Sequence, residues 1–441
     1  MRKLVAASVA MLLSGAAHTI AAPYDVAEVR PVIETPGLPE NAFEADADDP
    51  AIWVHPTRPS RSLIVTAVKD GGMRVYDLAG ALVQTIDPVS ASVGEGRINN
   101  VDVAYGLVVP GGGTIDVAVA SDRALDVIRV YRIDPGAGTP LTEVTAFPAR
   151  RAFPERLQVD GPGLEANPLD DQNTVYGLAL WHDRARARLL AAVTQRGTPR
   201  IGLFRLTARA DGKVVVALER DFRFPATHDG QDLRVENEDD PLRDWSTQFE
   251  GLVVDQRTGV LFAGQEDVGI WRIDLKTGTR GGRPFYETRG SRKSSFFEPG
   301  SVVSRDVEGL CIYYGPGRSG YLIASSQGNA HGEAPTPDAP FDDSFVVFEL
   351  RTGAPRLLGS FRVRKNGPID AVQESDGADV LSTGLPGFEQ GLFVTQDGYN
   401  DDILSGDPEA TNFKYVPWER IARSFDPPLR ISPGAWNPRR P

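Results

Sequence analysis

Cysteine is nearly absent from this chain. Its 441 residues include one, Cys311, so an internal disulfide framework is excluded. Histidine is scarce as well. The five residues His18, His55, His182, His228 and His331 show no HExxH-like spacing, which argues against a zinc site. Basic charge is in short supply: 47 Lys+Arg stand against 60 Asp+Glu, for a net charge of −13. Nucleic acid is a poor partner for such a chain, because affinity for a phosphate backbone comes from basic patches. Long helical periods are rare too. What is abundant is glycine (45) and proline (34), against 41% hydrophobic residues. That mix suits a turn-rich globular protein, not a disordered chain or a helical bundle.

The one long apolar stretch lies at the front. Arg2 and Lys3 precede Leu4–Ala17, and Thr19-Ile20-Ala21 offers a small-x-small cleavage site, the pattern of a secretory signal over 1–21. The stretch is too short for a membrane anchor, the competing reading. Cleavage after Ala21 takes the charge from −13 to −15 by removing two basic residues. No later apolar run is long enough to span a bilayer, so the mature protein is expected to be exported and soluble, secreted or periplasmic. Export without disulfides calls for another stabiliser, and bound calcium is a common one outside the cell.

The remainder repeats. Each unit has an apolar strand opened by a polar residue, a turn, a small-residue strand, a polar turn and an aromatic-rich strand. The units open at Asp48-Asp49, Asn99-Asn100, Tyr176-Gly177, Glu250-Gly251, Glu308-Gly309 and Asp376-Gly377; the sixth is read as closing through Phe413 to Ile421. The mean step from Asp49 to Asp376 is about 65 residues, longer than the roughly 40–45 of WD40 repeats. Six such units predict an all-β, single-domain, six-bladed β-propeller over 45–425, in preference to a pair of β-sandwiches. Residues 22–44 form an N-terminal segment expected to add an outer or closing strand, and 426–441 form an irregular Pro-rich tail. Asp229–Asp244 and Asn329–Asp343 break the rhythm and read as solvated loops.

Propeller geometry brings the unit openers, and the turns between second and third strands, to one mouth of the channel. The openers supply Asp48/Asp49, Asn99/Asn100/Asp102, Tyr176, Glu250, Asp306/Glu308 and Asp376/Asp379. The turns supply Lys69, Asp122/Arg123, Arg196, Glu266/Asp267, Gln327/Asn329 and Gln396/Asp397. So many carboxylates cannot all ionise together without a neutraliser. Oxygen ligands without His or Cys select hard cations, Ca²⁺ above all. The adjoining cations suit a multiply anionic oxygen ligand, phosphate best. There is no RHGxRxP or HCx₅R string, and Gly111-Gly112-Gly113 lacks the Lys-Ser/Thr of a P-loop. A phosphatase built on this site would therefore use metal-activated water without a covalent enzyme intermediate.

Several strings together resemble the β-propeller phytases, a calcium-dependent secreted family. They are Asp48-Asp49-Pro50-Ala51-Ile52-Trp53, Asn99-Asn100-Val101-Asp102, Glu266-Asp267, Asp306-Val307-Glu308-Gly309-Leu310, Ser325-Ser326-Gln327-Gly328-Asn329 and Val416-Pro417-Trp418-Glu419-Arg420. The resemblance implies a monomeric 3-phytase that hydrolyses phytate (myo-inositol hexakisphosphate) as its calcium salt, with several calcium ions. It implies that Tyr176, Lys69, Arg123 and Arg196 hold the scissile phosphate. Asp49, Glu250, Asp306 and Glu308 would hold catalytic calcium, with Glu250 essential for turnover. Glu266 adds a further acid at that mouth, and Asp102, Asp376 and Asp379 belong to structural or neighbouring calcium sites. The chain departs from the family at Arg196-Gly197, where Lys, often followed by Glu, is usual, and in the Asn329–Asp343 insertion. Two competing functions are a calcium propeller acting on a lactone or another phosphoester, and a non-catalytic module binding an anionic polyol. The Lys69/Arg123/Arg196 trio disfavours the lactone, and the acid ring opposite those cations disfavours the binding module.

Overall fold

The computed structural model describes residues 26–38, 45–158, 165–237, 240–328, 341–399 and 410–440. The expected signal segment 1–21 and most of the Asn329–Asp343 insertion lie outside the described residues. Six antiparallel sheets follow one another along the chain. Their innermost strands are Pro50–Trp53, Ile98–Val109, Val175–Asp183, Phe249–Asp255, Val307–Tyr314 and Ala378–Leu381. Each packs against the next, and the sixth packs against the first. The six sheets therefore form a closed ring, the six-bladed propeller that the repeat predicts.

The second strands of the blades are buried on both faces, as in Leu63–Ala67, Val260–Gln265 and Leu392–Asp397, which explains why they read as nearly continuous apolar runs. In the second strand of blade 3, Arg188–Gln195, Ala191 packs among residues of blades 2 and 3, including Val119 and Leu178. The adjacent Ala192 packs among residues of blades 3 and 4, including Leu252 and Trp271. Successive side chains point to opposite faces of a strand, so one small-residue strand serves two interfaces.

Ring closure uses the N-terminal segment twice. Val26–Val29 adds a parallel outer strand to blade 5, and Ile33–Glu34 adds an antiparallel outer strand to blade 6. The closing strand ends earlier than the repeat suggested: it spans Asn412–Pro417, and Trp418–Arg423 is a short helix. Pro417 has no N–H to continue the ladder and sits at the helix N-cap, which accounts for the switch. The tail has no regular structure but is packed. Trp436 stacks on Tyr314 with ring centroids 4.3 Å apart, and Arg439 pairs with Asp116 and donates to the Val54 carbonyl at 3.0 Å. Trp436 and Pro438 line a cavity of about 130 Å³ at the far end of the channel, together with Asp102, Tyr105, His182 and Asp379.

Blade 6 also contains a fully buried cation. Lys414 pairs with Asp370 and Asp397 and lies 3.8 Å from Glu34 of the N-terminal outer strand. Removing one partner of such a group strands the others in low dielectric. Lys414→Met is expected to cost about 3–5 kcal/mol of stability, read from urea unfolding. A loss under about 1 kcal/mol would show the pairing to be dispensable.

Candidate active site

The openings of blades 3, 4 and 5 share one local device. The inner strand slips register between Val175 and Leu178, between Phe249 and Leu252, and between Val307 and Leu310. Each slip is a β-bulge, which re-aims a side chain out of the ladder. The residues carried there are Tyr176, Glu250 and Glu308, each followed by glycine. That glycine is required by close packing: a Cβ at Gly177 would lie 1.9 Å from the Glu250 carbonyl oxygen, and one at Gly251 would lie 2.0 Å from that of Glu308. The Gly309 N–H donates to the Asp376 carbonyl at 2.7 Å. The repeated X-Gly pair is thus the joint between successive blades, and X is the residue presented to the channel.

Three acids converge on this mouth. Glu250, Glu266 and Glu308 each place a carboxylate oxygen within 4.8 Å of the other two, and they are 5%, 3% and 4% exposed. Glu266 Oε2 accepts from Gln248 Nε2 at 2.7 Å, while Glu266 Oε1 and Glu308 Oε2 are buried without a hydrogen-bond partner. Asp48 Oδ1 is orphaned in the same way. Each such atom costs roughly 1–3 kcal/mol. Burial pushes Glu266, Glu308 and Asp48 well above the usual carboxylate range, and the neighbouring acids add to it. These donors are all oxygen and their lone pairs are unspent, so they fit a hard divalent cation.

The cations lie beside them. Lys69, in the turn of blade 1, has φ 41°, a left-handed backbone that costs a non-glycine residue roughly 1–2 kcal/mol. Its Nζ is 2.6 Å from Asp46 and 3.1 Å from Asp376. Burial pulls its pKa down, but Asp376, Asp48 and Asp46 outweigh this and raise it. Asp376 also accepts from Gln327 Nε2. Arg123 donates from Nε to Gln172 Oε1 at 2.8 Å and from Nη1 to Asn99 Oδ1 at 3.1 Å. Its guanidinium lies 5.4 Å from the centre of the Tyr176 ring. Burial lowers the pKa of Arg123, Tyr176 opposes that shift, and the half-buried Arg196 is close enough to lower it further.

The structure sorts the expected residues into two groups. Tyr176, Lys69, Arg123, Glu250, Glu266, Asp306, Glu308 and Asp376 act on one another electrostatically at the mouth, and Arg196 joins through Arg123. Asp49, Asp102 and Asp379 form a second group further along the channel. There each carboxylate accepts a backbone N–H from the next blade: Val101 at 3.1 Å, Leu180 at 2.7 Å and Ile52 at 2.8 Å. At the mouth Asp48, beside Lys69, Glu250 and Asp376, stands where Asp49 was expected, while Asp49 is turned to the Val101 N–H. Two turn acids also turn out to be spent elsewhere: Asp122 pairs with Arg129 and Asp397 with Lys414. Four residues went unassigned from sequence. Asp46 and Gln172 hold Lys69 and Arg123, Gln248 holds Glu266, and Asn99 donates to Glu250 Oε1 at 2.6 Å. Only Asn99 had a signal, as a unit opener.

Burial is the first cause that pushes Glu250 and Asp102 up to about 7 and Asp379 up to about 6. Unfolded carboxyls titrate near 4. The stability tied to these groups is therefore complete below about pH 4 and is lost as pH rises through 6–7. Metal-free protein is expected to melt lower at pH 8 than at pH 5, and a divalent cation should remove the difference. Thermal denaturation in chelator checks this; a melting temperature rising over that window contradicts it.

Comparison with known proteins places the chain in a family. The family model described as Phytase matches residues 1–238 and 228–440. The chain is 30% identical over 428 residues to a 3-phytase of Bacillus subtilis (strain 168), covering 95% of this chain and 92% of that protein. Among solved structures, a Myceliophteria_thermophila Cps50 (Swd1) beta-propeller domain aligns at 11% identity with a TM-score of 0.39, over 84% of this chain and 83% of that one. A chain of a mitotic checkpoint complex aligns at 11% identity and 0.38, over 94% and 99%. Likeness that weak carries no argument. The family match and the Bacillus relative do, and on them the chain belongs to the phytase family.

Proposed function

We propose that the protein is an exported, monomeric, calcium-dependent phytase of the 3-phytase type, which hydrolyses phosphomonoesters of myo-inositol hexakisphosphate. The observation that carries this reading is the set of orphaned carboxylate oxygens on Glu266, Glu308 and Asp48 beside a cluster of three cations. Glu250, Glu266, Glu308, Asp306 and Asp48 are the residues that would hold calcium at the mouth. The Asp49/Asp102/Asp379 group is suited to a structural ion further along the channel. When bound, calcium neutralises the clustered carboxylates and polarises phosphate and water.

The chain's own residues account for the rest. Arg123 and Arg196 offer planar N–H forks to phosphoryl oxygens, and Lys69 a point charge. Tyr176 flanks the same space, and its hydroxyl beside Glu250 favours the ionised carboxylate. In the reaction the water oxygen bonds to phosphorus while the ester P–O bond breaks. The leaving inositol oxygen keeps the electron pair and takes up a proton, which balances the proton that the attacking water loses. Negative charge builds on the phosphoryl oxygens and the leaving oxygen, and fixed cations there lower the barrier. The reading also takes 1–21 as a removed export signal.

Phosphate release from phytate is expected to stop in EDTA and return with Ca²⁺. Glu250→Gln should lower kcat by roughly 10²–10³-fold or more while leaving the far-UV spectrum unchanged. Turnover that survives exhaustive chelation would defeat the reading.

A further inference from the structure

Asn99 opens the inner strand of blade 2 and is 0% exposed. One end of its amide serves an acid and the other a cation. Nδ2 donates to Glu250 Oε1 at 2.6 Å, and Oδ1 accepts from Arg123 Nη1 at 3.1 Å. Of the common short side chains, only an amide offers a paired donor and acceptor at that reach. The carboxylate and the guanidinium fix which way round it lies.

The partners of Arg123 differ in kind from those of three other cations in this molecule. Arg129 is held by Asp122 and Glu143, Arg200 by Asp221 and Glu155, and Lys69 by Asp46 and Asp376. In each case acids cancel the cation's charge. Arg123 is held instead by two neutral amides, Asn99 and Gln172. Among the described residues no carboxylate lies within ion-pair distance of it. Its position is fixed and its charge remains available to an anion.

We propose that Asn99 is a positioning residue that sets Glu250 and Arg123 at a fixed separation for one phosphoryl group, and that an amide stands there so that Arg123 keeps its charge. The proposal rests on the phosphatase reading of this mouth. It is distinct from the expected roles of Glu250 and Arg123 themselves, because Asn99 acts only through them. Substitution by Asp preserves shape but turns the donor facing Glu250 into a second carboxylate and neutralises Arg123. Gln172→Glu neutralises Arg123 from its other side and leaves the contact with Glu250 alone. The two variants therefore separate the two ends of the amide.

The test uses the full-length protein, saturated with Ca²⁺, in wild-type, Asn99→Asp and Gln172→Glu forms. The measurements are the pH profile of phosphate release from phytate, calcium affinity by calorimetry, and affinity for inositol hexakissulfate, an anionic analogue that is not a phosphate ester. Both variants should raise KM and weaken analogue binding by about tenfold or more, which is about 1.4 kcal/mol. Only Asn99→Asp should also move the acid limb of kcat/KM upward, by about one pH unit, with calcium affinity kept or increased. A merely structural role would lower the melting temperature and move neither the analogue affinity nor the limb. If Asn99→Asp does not fold, Gln172→Glu alone decides whether an uncompensated Arg123 matters. Wild-type KM, analogue affinity and acid limb in folded variants would overturn the proposal. Wild-type activity in EDTA would instead overturn the calcium reading, and the analogue affinities would still decide the role of Asn99.

Discussion

Repulsion among buried carboxylates is the constraint around which this molecule is organised. Glu250, Glu266 and Glu308 bring oxygens within 4.8 Å of one another while almost wholly shielded from water. No folding benefit comes from that arrangement, since desolvation and like charge both oppose ionisation. It persists because the ring around it over-determines the positions. Every inner strand packs against two neighbours, and the bulge glycines let one blade's backbone press directly on the opening residue of the next. Relaxing one acid would require moving a blade. The propeller thus holds the mouth in a state that a bound divalent cation would stabilise.

The excess of acid in the composition looks different in this light. A net charge of −13 argues against anionic partners when it is spread over a surface. Gathered at one mouth beside Lys69, Arg123 and Arg196, part of it becomes a means of collecting positive charge. The cations are themselves held in contrasting ways. Lys69 is gripped by Asp46 and Asp376, whereas Arg123 rests on the amides of Asn99 and Gln172. One cation is compensated and the other is not, a distinction that counts of Lys and Arg cannot reveal.

Much of this was legible in the sequence, for identifiable reasons. The six-fold repeat fixes the ring, and propeller geometry then assigns unit openers to one mouth without any side-chain detail. Tyr176, Glu250 and Glu308 were found because the X-Gly step recurs. What the repeat could not resolve was direction. Asp48 and Asp49 are adjacent, and only the strand's orientation shows that Asp48 joins the mouth while Asp49 reaches Val101 of the next blade. Nor could it show that Asp122 and Asp397 turn inward to Arg129 and Lys414, since those partners lie on other strands. Gln172, Gln248 and Asp46 sit in irregular segments outside the repeat, so periodicity was silent on them. The end of the last strand was misplaced because Pro417 stops the ladder and Trp418 starts a helix.

The orphaned acids at the mouth are the proposed calcium ligands. The most direct measurement is calorimetric titration of chelator-stripped protein with Ca²⁺, wild type against a Glu250→Gln/Glu266→Gln/Glu308→Gln variant. Removing the carboxylate charge should abolish at least one binding event and release the pH-dependent loss of stability, so that the variant melts above the stripped wild type at pH 8. Unchanged calcium stoichiometry and affinity in a folded triple variant would contradict the account.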